Sequence, residues 1–140
     1  VESMLVILCG VFAVVGHMFP VYANFDGGKG AATACGMLYG IEPISISISL
    51  LIFIIVMVTT RYVSMGSIAG SASYPVTQFI MRYALGWDID GSIILFSTIL
   101  AAGIIIKHKG NIRRLINGTE NKVRSFKPAK GWLNKEETAT

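Results

Sequence analysis

The sequence predicts an all-α, polytopic integral membrane protein with about five apolar passes, some of them short or broken. Three observations carry that prediction. Of 140 residues, 53% are hydrophobic and only 14% charged, with mean hydropathy +0.62. This is too apolar for an ordinary soluble domain. The charges are also confined. Ser3 to Gly16, Ile44 to Thr60 and Ser92 to Ile106 contain no acidic or basic residue, and the last two lie near the lower limit of length for crossing a hydrocarbon core of about 30 Å. Finally, the segments between apolar runs alternate in the sign of their charge, as loops on opposite sides of a bilayer do.

The elements follow in order. The first apolar run, 3–16, has no basic segment ahead of it and so does not read as a cleavable signal. The chain also opens without a Met. A second run, 31–41, would extend about 16 Å as a helix, so it is either a half-span or continues past Glu42. The third, 44–60, starts with Ile44-Ser45-Ile46-Ser47-Ile48-Ser49, a period of two that suggests a strand. It nevertheless flows without a turn signal into Leu50 to Val58, and an isolated strand in lipid leaves its backbone unpaired, so the segment reads as helix. Its serines are expected to bond back to the preceding turn or across to neighbouring helices.

The fourth pass, 67–85, is the weakest. Gly66 to Tyr74 is rich in Gly, Ser and Ala, and Pro75 suits the first turn of a helix running to Leu85. This pass is expected to be broken and to line a site, because irregular backbone in lipid is tolerated only where protein or a polar cavity covers it. The fifth pass is 92–106. Residues 1–122 form one membrane domain and 123–140 a basic, polar tail.

With these passes, Lys29, Arg61 and nine basic residues from Lys107 to Lys135 fall on one side, and Glu2, Glu42, Asp88 and Asp90 on the other. The positive-inside rule makes the first side cytoplasmic. Three polar segments therefore meet on one face. Gly16 to Gly30 is a glycine-dense loop in which adjacent glycines free backbone N–H groups for a ligand and Lys29 adds a charge. Ala31-Ala32-Thr33-Ala34 then opens a helix whose N-terminus favours anions. In Thr59 to Ile68, Arg61 can pair with phosphate and Ser64 or Ser67 can donate to it. In Lys107 to Lys122, His108, Asn111 and Leu115 share one face of a helix leaving the membrane. The basic tail next to a pass points to anionic lipid headgroups and not to nucleic acid.

Other residues carry less. Cys9 and Cys35 lack metal-type spacing and are expected to be inert buried thiols. His17 is expected to be structural, near the site. No His, Cys or carboxylate cluster has the spacing of a metal site. Neither histidine has a carboxylate in a His-x-x-x-x-Asp relation, since Tyr22 follows His17 and Arg113 follows His108 at that spacing.

The three segments together resemble one family. GHMFPVYANFDGGKGAAT is similar to the GHxFPxxxxFxGGKGxAT signature of the bacterial acyl-phosphate:glycerol-3-phosphate acyltransferases of the PlsY type. TRYVSMGSI and HKGNIRRLINGTEN look like its later segments, and the resemblance covers about residues 10 to 122. Asp26 stands where a basic residue is common and Ala31 where valine is usual. The resemblance implies transfer of a fatty acyl group from acyl phosphate to the 1-hydroxyl of glycerol 3-phosphate, giving lysophosphatidate and phosphate. It implies no cofactor, no metal, no coenzyme A thioester and no acyl-enzyme, with a substrate phosphate oxygen able to take the hydroxyl proton.

By the same resemblance, Gly27, Gly28, Lys29 and Gly30, with Thr33, bind the acceptor phosphate, and Arg61 and Ser67 line the phosphate-bearing cavity. His108, Asn111 and Ser64 are the catalytic candidates, and Glu120 matches a residue important for structural integrity. The implied location is the bacterial inner membrane, with the motifs facing the cytoplasm. The family also carries an N-terminal pass followed by a motif of the form Ser-x-Gly-Ser-Gly-Asn-x-Gly-Ala-Thr-Asn, and this chain begins after it, so the resemblance implies an N-terminally incomplete member and activity is expected of the parent protein and not of these 140 residues alone. The competing class is a non-enzymatic membrane protein, a transporter or scaffold subunit that binds a phosphorylated ligand. Transporter sites lie near the midplane between repeated halves, whereas this chain shows no halves and gathers its polar motifs at one surface.

Overall fold

In the computed structural model, residues 2–20 and 29–124 are described. Among them the chain forms six helices: α1 (Glu2–Met18), α2 (Ala31–Ile41), α3 (Pro43–Thr60), α4 (Val63–Tyr83), α5 (Gly91–Lys107) and α6 (Lys109–Ile116). α3 packs most extensively on α4, and α4 next on α5; α2 touches α1 and α3.

Each boundary has a local cause. α2 does not continue past Glu42. That residue is extended at φ −150° and ψ 91°, its carboxylate accepts from the Ser45 N–H at 3.0 and 3.2 Å, and Pro43 starts α3, where a missing N–H costs nothing. At the other end of α3, Arg61 takes the left-handed conformation, φ 62°, and its N–H bonds the Met57 carbonyl. Asp90 caps α5 by accepting from the Ser92 N–H at 3.0 Å. Between α5 and α6 the axis bends by 56° at His108.

The serine alternation is helical, as expected. Ser47 bonds back to the Pro43 carbonyl at 2.6 Å, and Ser45 reaches across to the Met81 thioether at 3.2 Å.

The fourth pass differs from expectation, because α4 is one continuous helix through both the Gly/Ser/Ala stretch and Pro75. Its glycines serve close approach to α3. A Cβ on Gly66 would sit 2.9 Å from the Phe53 carbonyl oxygen, and one on Gly70 would sit 3.1 Å from Phe53 Cβ. Small residues at such seams let helices in lipid gain dispersion contact that the hydrophobic effect does not supply there. Sequence composition alone does not distinguish a glycine that breaks a helix from one that admits a neighbour.

The distribution of polarity is that of a protein in lipid. Leu51, Ile55, Leu95 and Ile99 are exposed, while Ser45, Ser49, Gln78 and Ser97 are buried. A water-soluble bundle would show the reverse. α3 is long and apolar enough to cross a membrane by itself, α5 with α6 qualifies as a bent pair, and α1 and α2 are shorter apolar helices. Five is therefore an approximate number of passes. Cys9 is exposed and Cys35 half-buried, so neither is the fully buried thiol expected.

Candidate active site

The ends of α1, α2, α4 and α5 that carry the polar motifs converge on one cleft of about 470 Å³, lined by residues from 17 to 123. Val123 N–H donates to the Arg61 carbonyl at 2.8 Å, tying the segment after α6 to the α3–α4 turn. Lys107 lies over the Phe19 ring, 4.1 Å from its centroid, joining the end of α5 to the end of α1. These contacts put the three sequence motifs at one end of the bundle.

Gly30 is the hinge of the cleft. Its φ of 78° is left-handed, and it caps α2 without a side chain, so Ala31 and Ala32 present the start of α2 to the cleft. Uncapped N–H groups and the helix dipole together favour an anion there. Lys29 adds a full charge, and its ammonium donates to Asn111 Oδ1. That bond orients the Asn111 amide and leaves its NH₂ as the remaining donor.

His108 is 3% exposed, and its Nδ1 lies 2.8 Å from the Ile104 carbonyl oxygen. A carbonyl only accepts, so Nδ1 carries the proton, and in the neutral ring Nε2 has the free lone pair. Ser64 Oγ is buried with no hydrogen-bond partner among the described residues. Buried hydroxyls are normally paired, which makes this one a donor available to a ligand. Glu120 binds Arg114 Nε at 3.2 Å and accepts from the Asn121 N–H at 3.3 Å, bracing the segment that completes the wall.

Of the sequence-derived residues, the cleft thus gathers His17, Lys29, Gly30, Ser64, Ser67, His108, Asn111 and Glu120. Thr33 and Arg61 lie outside its wall. Gly27 and Gly28, with Asp26, lie outside the described residues. Sequence reasoning missed Lys122, a second cation on the wall, whose ammonium sits 5.4 Å from the Tyr62 ring centroid. Its signal was its place three residues after Gly118-Thr119, at the end of the third polar segment.

Beside the cleft lies an apolar groove of about 460 Å³ between α2, α3, α4 and α5, and the two share Ala31, Ala32, Val63 and Ser67 in their walls. Fold and site define a helical integral membrane protein with a cationic, donor-lined cleft at one end of its bundle and an apolar groove beside it. The sequence pattern of the glycerol-3-phosphate acyltransferase family matches residues 1–118, and the chain belongs to that family. It is 44% identical to a glycerol-3-phosphate acyltransferase of Salinibacter ruber over 94% of this chain and 57% of the relative. It is 41% identical to one of Chlorobaculum parvum over 87% and 60%. The fold is similar to the crystal structure of PlsY, an integral membrane glycerol 3-phosphate acyltransferase, in its glycerol 3-phosphate form. That match has TM-score 0.76 and 32% identity and covers 84% of this chain and 56% of that one. The lysophosphatidic acid form matches with TM-score 0.75 at 33% identity, over 83% and 56%. The chain thus spans somewhat more than half the length of the relatives it matches.

Proposed function

We propose that this chain carries the acyl-transfer site of a glycerol-3-phosphate acyltransferase that uses acyl phosphate as donor. The carrying observation is that a cationic cleft adjoins an apolar groove, the two sharing Ala31, Ala32, Val63 and Ser67 in their walls. A donor with a phosphate head and a fatty tail matches that division, and so does a lysophosphatidate product.

In this reading the acceptor phosphate sits at the α2 N-terminus with Lys29, and the Asn111 amide and Ser64 hydroxyl supply further donors. The 1-hydroxyl oxygen attacks the acyl carbonyl carbon and forms the ester bond, while the bond from that carbon to the bridging phosphate oxygen breaks. Inorganic phosphate leaves with the electron pair. The hydroxyl proton goes to a phosphate oxygen, and the His108 Nε2 lone pair is able to hold the hydroxyl in line for attack. The donor is a mixed anhydride and already activated, so the site needs positioning more than a strong base. The charge map favours a cytoplasmic face of the inner membrane for the cleft.

The test is donor choice. The purified parent protein, carrying the family's first motif together with these residues, should form lysophosphatidate from radiolabelled glycerol 3-phosphate and palmitoyl phosphate without added metal and should not do so from palmitoyl-CoA. Comparable turnover with the thioester overturns the reading. Independently of turnover, Lys29→Ala should weaken glycerol 3-phosphate binding in calorimetry about tenfold, since a hydrogen bond to a charged group is worth roughly 1.5 kcal/mol. Unchanged binding removes Lys29 from the phosphate site.

A further inference from the structure

On α4 the apolar groove ends at Tyr74. Along α4 its wall runs from Val63 to Tyr74, eleven residues or about 16 Å at 1.5 Å per residue. Tyr74 is 2% exposed and packs with Leu38 and Ile46 in one buried cluster, so the rings and branches of α2, α3 and α4 meet there. The same face of α4 continues one turn further as Gln78, which is fully buried and does not line the groove. Gln78 Nε2 donates to the Tyr74 hydroxyl at 3.1 Å, while its Oε1 is unpaired among the described residues. One turn past Tyr74 the α4 wall is therefore a polar side chain with an unpaired acceptor, a poor seat for a methyl terminus. Gln78 thereby fixes the phenol hydroxyl at the end of the groove's α4 wall.

We propose that Tyr74 sets the acyl-chain length this site accepts, by closing the groove on the terminal methyl. The inference rests on the reading of the groove as the acyl site. With C–C bonds of about 1.52 Å, an extended chain advances about 1.3 Å per carbon, so ~16 Å holds about a dozen carbons between the cleft and Tyr74. Each methylene buried along the way strengthens binding about fourfold. Carbons that reach the floor gain nothing further or are forced to fold back.

The test uses a series of saturated alkyl phosphates, hexyl to octadecyl, which carry the head and tail of the donor but cannot transfer an acyl group. Their binding to the purified chain is read by native mass spectrometry. Affinity should climb with length and then level off at a defined carbon number. Tyr74→Ala opens the groove as far as Gln78, four residues or ~6 Å on, and should move that break to chains about five carbons longer. Ser71 lines the groove three residues above Tyr74, and its hydroxyl bonds only back to the Ser67 carbonyl at 2.7 Å. Ser71→Leu should therefore raise the floor and move the break to chains about three carbons shorter. If Tyr74→Ala does not fold, Ser71→Leu alone carries the test. A break that stays in place in the folded variants overturns the assignment of Tyr74 and leaves the acyl reading standing. Affinity that does not depend on chain length in the unaltered protein overturns the acyl reading of the groove, and the role of Tyr74 with it.

Discussion

Replacing Gly66 by alanine tests the account of α4 as a continuous helix held against α3. An added Cβ at Gly66 would lie 2.9 Å from the Phe53 carbonyl oxygen and 3.2 Å from Met57 Cβ. Both neighbours belong to the body of α3, so relief requires the two helices to part. Overpacking of this kind costs about 1–3 kcal/mol. Against it stands the gain of roughly 1 kcal/mol when alanine replaces glycine inside a helix. Gly103→Ala in α5 isolates that gain, because nothing lies within 4 Å of a Cβ built there. Helix propensity nearly cancels between the two variants, and their difference measures the steric contact at the seam. At about 3 °C per kcal/mol for a chain of this size, Gly66→Ala should unfold ~3–9 °C below Gly103→Ala. The assay is thermal unfolding in detergent, followed by circular dichroism. If Gly66→Ala melts at or above Gly103→Ala, the close α3–α4 seam is wrong, and a broken fourth pass returns as the better description.

Two further outcomes follow from the site and the charge map. Gly30→Ala forces a left-handed φ on an L residue, at a cost of about 1–2 kcal/mol, and brings its Cβ within 2.9 Å of the Met18 thioether. It should raise KM for glycerol 3-phosphate, whereas Gly36→Ala, with nothing within 4 Å of its Cβ, should leave KM alone; equal values for the two would separate the α2 N-terminus from substrate binding. With Cys9 and Cys35 replaced, cysteines introduced at Asp26 and Lys109 should resist an impermeant thiol reagent in intact cells, and one at Asp90 should be labelled. If Asp26 and Asp90 report the same side, the passes have been miscounted.

Much of the site was legible in the chain because its chemistry is local. A glycine-flanked lysine ahead of a helix start, and a histidine and an amide three residues apart, can be recognised without knowing what faces them. Lys29, His108 and Asn111 reach one cleft, as their common charge side suggested. Arg61 was less legible. Its exposed charge suggested a phosphate partner, but its structural part in the fold is its backbone, which ends α3 in a left-handed turn and accepts from Val123. Lys122 was passed over for the opposite reason. Its place at the end of the third polar segment was a weak signal, because it gains meaning only when the chain folds back on the α3–α4 turn.

By itself the sequence determined the helical membrane class, the helix that starts at Ala31, the grouping of basic segments on one side and the residue types at the cleft. These follow from apolar run length, charge placement and short-range backbone preference, all of which act within a few residues. Only the tertiary structure decided that α4 runs unbroken through Pro75, that Gly66 and Gly70 admit α3, and that Thr33 and Arg61 stand outside the cleft. It alone also set beside the cleft a groove whose α4 wall ends at Tyr74. Those outcomes depend on which side chains meet across helices far apart in the chain, and close packing, unlike hydropathy, is a property of pairs of surfaces.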